Sequence, residues 1–339
     1  MMRTLIANTP FMLVKHLPAI SLLVPYYHLV SDEPVAHVKH LFAHKGVREF
    51  TQDLEFLLKH YRAIGLPDLL EALRRDRPLP KRSFLLTFDD GFREMSDVVA
   101  PVLLARGIPA VFFVGSAFTD NRQLCYQHTA SVVVERLTNG VSPAETAQAR
   151  ALVAPTGADT GDLGAAVLSL PYGHRAVVES VARAIGVDTA AYLRQVRPYL
   201  TRPQIAALVR QGFAIGGHSI DHPLYAALPL EEQLRQTRES VGYVKRTYGL
   251  DYAAFAFPHH DRGVSRRFFS ELYGRNELDI SFGTGGPAED VIRRNIQRIS
   301  FERPRAAARK IVAYAAARGL YRSAAGGAAG TIREAGNEN

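Results

Sequence analysis

The feature that most constrains the fold is an alternation. Short apolar runs near residues 20–29, 83–88, 109–114, 213–217, 252–257, 278–283 and 296–301 are separated by amphipathic stretches with helical spacing. REFTQDLEFLLKHY (48–61) and EEQLRQTRESVGYVKRTYG (231–249) are the clearest helices. In the second, Leu234, Val241 and Val244 recur at near-helical intervals, and Gly249 stands where a helix stop belongs. Thr201, just ahead of Arg202 and Pro203, reads as an N-cap with proline in the first turn. Strands that are apolar on both faces and alternate with helices predict an α/β fold with a covered parallel sheet. Seven strands suit an open doubly wound sheet or an irregular barrel. Both place their ligands beyond the C-terminal strand ends, so the pattern leaves the two open.

The alternation breaks between about 120 and 200. This stretch is Ala-rich and mostly helical in pattern, with a loop-like TGADTGDLG at 156–164. It is too long for one crossover helix, which predicts a helical insertion near the active face, as a lid or a partner surface. The final SAAGGAAGTIREAGNEN (323–339) is small and polar and is expected to be disordered.

Composition narrows the setting. With 339 residues, 47% of them hydrophobic, the chain can form one large domain or two ordinary ones. No apolar run reaches the length of a membrane span. TLIANTPFMLV (4–14) is broken by Asn8, Thr9 and Pro10, and no small-residue cleavage site precedes the next apolar run, so no signal peptide is read. The one cysteine, Cys125, allows no internal disulfide and reads as a small buried residue. The expected location is the cytoplasm, either free or peripheral to a membrane. The formal net charge of +8 is concentrated in RRNIQRISFERPRAAARK (293–310), which has seven basic side chains and one acidic one. Such a run serves an anionic membrane surface, an acidic substrate or simply a solvated face. No nucleic-acid module accompanies it, so specific nucleic-acid binding is not expected.

Chemistry is concentrated at two strand ends. FLLTFDDGF (84–92) ends an apolar run in Asp89 and Asp90, and FAIGGHSIDHP (213–223) ends one in His218 and His222. Adjacent carboxylates beyond a buried strand repel each other, and a cation relieves the repulsion. One aspartate can ligate the cation while the other stays ionised as a general base. Histidines four apart share one face of a helix or tight turn, as zinc sites use. One aspartate and two histidines leave positions open for water and substrate, which marks a catalytic site rather than a structural one.

TFDDG and GHSIDHP resemble the first two motifs of the polysaccharide deacetylase family, the NodB-like carbohydrate esterases. YYHLVSD (26–32) is similar to the Tyr-His element at that family's first strand, and FAFPHH (255–260) to its third motif. The resemblance covers about 20–302 apart from the insertion, within a catalytic domain of about 20–319. It implies a distorted (β/α)7 barrel, with Asp89 as general base and Asp90, His218 and His222 binding a divalent metal, usually zinc. Ser219 and Asp221 would shape the histidine loop. Pro258 would shape the third-motif loop, and the backbone N–H of His259 would donate to the oxyanion. The implied reaction removes an acetyl group from an amino sugar in a polysaccharide, glycolipid or sugar precursor.

Two departures from the family pattern matter. The arginine that precedes the third-motif proline in many members is replaced by Ala256 and Phe257, leaving Arg298, or less directly Arg93, to orient Asp89. The late histidine motif that supplies the general acid is absent, since no histidine follows His260. His260, His259 and His28 are the substitutes by location, with Asp261 and Glu302 as further polar residues. His37, His40 and His44 read as surface or loop. A non-sugar amidohydrolase and a non-catalytic glycan- or membrane-binding relative are the competing functions. The absence of tryptophan removes the most obvious stacking platform for a long glycan.

Overall fold

The computed structural model describes residues 11–14, 17, 20–286 and 290–324. Eight short parallel segments form its main sheet: β1 (Pro25–Tyr27), β2 (Leu86–Phe88), β3 (Ala110–Val114), β4 (Ala214–Gly217), β5 (Ala254–Ala256), β6 (Ile280–Gly283), β7 (Asn295–Gln297) and β8 (Ile299–Ser300). Their order is β7-β6-β5-β4-β3-β2-β1-β8. Only Arg298 separates β7 from β8, so the last strand pairs with β6 on one side and with β1 on the other. The Arg298 N–H donates to Gly283 and the Ile299 N–H to Val24. This change of partner closes the sheet into a barrel of seven strands, and the open-sheet alternative falls.

All seven expected strands are present. A small three-stranded sheet of Leu22–Leu23, Arg62–Ala63 and Ser83–Phe84 adds to them. Its two-residue strands are too short to leave a period in the sequence. Strands β2 to β6 are buried along their whole length, because helices cover the outside while the barrel interior is packed. Helix α1 (Val47–His60) lays Phe50, Leu54 and Leu57 against the barrel as one stripe.

Between β3 and β4 lie α2 (Tyr126–Thr138), α3 (Pro143–Val153), α4 (Leu163–Ser169), α5 (Arg175–Ala184) and α6 (Thr189–Val196). Helices α2 to α5 enclose a core of their own, with Val133, Val153, Val167, Val178, Val181 and Ile185 in one cluster, while Leu193 of α6 packs with Phe92, Phe118 and Tyr199. The chain re-enters the barrel through α7 (Arg202–Arg210). There the Thr201 hydroxyl accepts from the Gln204 N–H while the Gln204 side chain accepts from the Thr201 N–H. Helix α8 (Leu230–Tyr248) buries Leu234, Val241 and Val244 and stops at Gly249, whose φ of 65° is left-handed.

Gly216 and Gly217 of β4 are sites of close packing. A Cβ on Gly216 would lie 2.4 Å from Phe113, and one on Gly217 would lie 3.0 Å from Ser240 and Val241 of α8. Residues 325–339 of the expected disordered tail lie outside the described residues, as do residues 1–10 of the N-terminal stretch. Among the described residues no helix is long and apolar enough to cross a membrane. The basic run at 293–310 is not one face. Arg298 is fully buried, Arg293 pairs with Asp76, and Arg294 lies over the Tyr273 ring.

Candidate metal and catalytic centre

The C-terminal end of β2 sends its two aspartates in different directions. The Asp89 N–H continues the ladder to Tyr27, and Asp90 and Gly91 then both take left-handed φ, 71° and 68°. Such a conformation strains a non-glycine residue and is kept where surrounding contacts over-determine it. The loop after β4 has the same character, with Ser219 at 64° and His222 at 67°. The Ser219 hydroxyl accepts the His222 N–H at 2.9 Å, so Ser219 shapes this loop as expected.

Asp90, His218 and His222 converge. Their ligand atoms all lie within 4.8 Å of one another, with His218 Nε2 3.4 Å and His222 Nε2 3.3 Å from Asp90 Oδ1. Each imidazole has its other nitrogen on an oxygen acceptor. His218 Nδ1 donates to the Ala256 carbonyl at 2.9 Å, and His222 Nδ1 donates to Gln127 Oε1 at 2.7 Å. That fixes Nε2 as the lone-pair nitrogen on both rings. Two lone pairs and a carboxylate oxygen then face one another, and Asp90 Oδ1 and His218 Nε2 are buried without a hydrogen-bond partner among the described residues. Buried acceptors facing acceptors are costly unless a cation sits between them. The donor set fits a divalent metal, and an Asp-His-His set is typical of zinc.

Asp89 turns to Arg298. The guanidinium meets the carboxylate with two bonds, Nη1 to Oδ1 and Nη2 to Oδ2, both 2.7 Å. Arg298 is fully buried and Asp89 nearly so. Burial alone would raise the Asp89 pKa. The Arg298 charge, with His218 and His28, outweighs that and holds it below the usual carboxylate value. Arg298 also lies over the Tyr26 ring, 4.9 Å from its centre. It therefore sits where an orienting residue is needed. Arg93 does not: it pairs with Glu94 and Asp97 and donates to the Val196 carbonyl.

Among the histidines considered as acids, His28 and His259 differ sharply. His28 Nδ1 lies 2.5 Å from Glu302 Oε2, while the His28 and Leu29 N–H groups both donate to Glu302 Oε1. Desolvation works against the charged ring, but Glu302, then Asp90 and Asp89, reverse it and raise the pKa to about 10. The His259 ring lies against His222, with ring centres 4.7 Å apart. Loss of solvent around it, then the His222 imidazole, lowers its pKa, so it is held neutral. His259 itself has a left-handed φ of 56°, and its carbonyl accepts from Thr284. Asp261 is buried and accepts from the Asn295 and Gln297 amides, tying the third-motif loop to β7.

The segment between β3 and β4, expected near the active face, reaches the same centre, although no motif marks the residues that do so. Besides Gln127, helix α2 delivers His128, whose Nε2 is 4.0 Å from Asp90 Oδ2 and whose Nδ1 is 2.6 Å from the Tyr199 hydroxyl. Burial, only partly offset by Asp90, lowers the His128 pKa to about 4 and keeps the ring neutral. The Tyr172 hydroxyl donates to Asp221 Oδ2 at 2.6 Å, and Gln236 donates to its other oxygen. Behind these, His37 is buried against Phe92 and His128 and bonds to Tyr192, so it is not the surface residue its sequence context suggests. Cys125 is buried, and burial pushes its thiol up.

Comparison with known proteins agrees with this geometry. A search of curated proteins finds no match to the chain. Among solved structures, the deacetylase PplD of Streptococcus pyogenes in complex with acetate is 14% identical, aligns over 87% of this chain and 97% of its own, and has a TM-score of 0.55. IcaB from Ammonifex degensii is 17% identical over 88% and 97%, at a TM-score of 0.53. The de-N-acetylase from Aggregatibacter actinomycetemcomitans is 16% identical over 82% and 93%, at 0.51. At these identities the likeness is one of fold. The polysaccharide deacetylase family model matches residues 76–271, a span that holds Asp89, Asp90, His218 and His222 but neither His28 nor Arg298. With more than half its length inside that model and the family's barrel around it, the chain belongs to the polysaccharide deacetylase family, hydrolases of non-peptide carbon–nitrogen bonds.

Proposed function

We propose that this protein is a divalent-metal-dependent N-deacetylase, with zinc as the metal and an acetylated amino sugar as the substrate. The observation that carries the reading is the convergence of Asp90, His218 and His222, with the Asp89–Arg298 pair beside them. Two structural neighbours described as deacetylases, one holding acetate, support acetate as the product.

Bound at the triad, the metal supplies a Lewis acid that polarises the acetyl carbonyl and makes water a better nucleophile. Arg298 keeps Asp89 ionised and fixes its plane. Each carboxylate oxygen still has a lone pair free to accept the proton of the attacking water. The His259 N–H, in the third-motif loop, donates to the developing oxyanion. His28, held as an imidazolium by Glu302, gives its proton to the leaving amine as the C–N bond breaks. Water has then been divided between acetate and the free amine, and His28 recovers its proton as Asp89 gives one up to solvent.

Two experiments test this reading. The wild type should bind about one zinc and release acetate from N-acetylglucosamine oligomers, while His218→Ala with His222→Ala should lose both. A folded wild type that takes up no zinc from a zinc-supplemented buffer would sink the metal reading. For the acid, His28→Gln should slow acetate release by about 10²-fold yet spare substrates whose leaving amine needs no protonation, such as an acetylated nitroaniline. Equal slowing on both substrates assigns the acid elsewhere.

A further inference from the structure

The two histidines of the triad are oriented by different means. His218 leans on the Ala256 carbonyl, which belongs to the barrel itself. His222 leans on a side chain from 95 residues earlier, Gln127, in the second position of α2. Its own loop is strained, with both Ser219 and His222 at positive φ, so the ring depends on an outside partner to hold its angle. Gln127 offers that partner from a firm base. Helix α2 is packed through Ala130 and Val133 into the separate core of helices α2 to α5. The next residue, His128, stands 4.0 Å from the second oxygen of Asp90. One helix turn thus backs two of the three ligands.

We propose that Gln127 is a positioning residue for His222, and that through it the α2–α6 segment forms part of the metal centre and sets its zinc affinity. The proposal rests on the metal reading above. An amide oxygen on Nδ1 holds the ring in the tautomer that presents Nε2, and it makes that nitrogen a better donor. With Gln127 removed, the ring is free to rotate or to carry its proton on Nε2, where it cannot ligate.

Zinc dissociation constants, measured on the full chain by competition with a chromophoric chelator, test this without recourse to turnover. Gln127→Ala should weaken zinc by about 10–100-fold, as loss of such an outer partner does elsewhere. Gln127→Glu, which keeps an oxygen acceptor, should bind zinc as tightly as wild type or tighter. Tyr172→Phe removes the segment's other bond to the histidine loop, at Asp221, without touching Nδ1. It should leave the constant near the wild-type value. A Gln127→Ala constant equal to wild type, or a Gln127→Glu constant weakened as much as that of Gln127→Ala, overturns the proposal. If Gln127→Ala fails to fold, the Gln127→Glu constant decides alone: tight binding supports the proposal and tenfold weakening overturns it. Zinc bound normally by His218→Ala with His222→Ala would instead overturn the metal reading on which all this stands.

Discussion

Asp89→Asn should lower kcat/KM for acetate release by about 10²–10⁴-fold while leaving zinc content unchanged. The substitution is nearly isosteric, and Asp89 touches Arg298, not the Asp90–His218–His222 cluster. What disappears is the anion that accepts the proton of water. The amide also meets Arg298 badly, since only its oxygen can accept one of the two guanidinium N–H groups, and its own N–H₂ faces the other. Asp90→Asn gives the contrasting result. It removes the anionic ligand and should cost zinc along with activity. The pair therefore separates into a proton acceptor and a metal holder by a measurement of bound zinc alone. If Asp89→Asn turns over at the wild-type rate, the base is another group.

What sequence revealed and what it hid divide along a physical line. The barrel strands are legible because a strand buried on both faces must be a continuous apolar run, and β2 to β6 are such runs. Asp89, Asp90, His218 and His222 are legible because each pair sits within five residues at a strand end, so a local motif records them. Arg298 is legible only by elimination: an arginine inside an apolar strand needs an anion, and the family's usual arginine is missing. The change of partner between β7 and β8 leaves no periodic trace, since one residue carries it. Glu302 meets His28 across 274 residues, and Gln127 meets His222 across 95. Contacts made by tertiary folding between unlike segments have no spacing to read. His37 is missed for the opposite reason. It stands among Val35, Ala36 and Val38 in a stretch with neither strand nor helix periodicity, which reads as a loop, yet Phe92, His128 and Tyr192 enclose it.

Arg298→Met should destabilise the metal-free protein by about 3–5 kcal/mol at neutral pH, more than either the lost packing or the lost strand position explains. Methionine can fill much of the arginine's volume, so the main loss is charge: Asp89 stays buried with no cation on its carboxylate. Adding Asp89→Asn should then recover a large part of the deficit, because the double variant buries no unpaired ion. The pH dependence follows from the same pair. In the wild type the folded Asp89 pKa lies below its ordinary 3.8. Its contribution is therefore present above that value and is lost as pH falls through the lowered one. In Arg298→Met, burial acts with its largest opponent gone and lifts the folded pKa above 3.8. Between the ordinary and the raised value the folded form holds more protons than the unfolded, so the variant loses stability as pH rises. The gap between wild type and variant should thus be smallest below the lowered wild-type value, larger near pH 4 and larger still toward neutrality. Urea melts with EDTA present at an acidic and a neutral pH, on the wild type, both single variants and the double, read all of this. A gap independent of pH, or a double variant no more stable than Arg298→Met, would show that Arg298 serves the closure of the barrel and not the charge of Asp89.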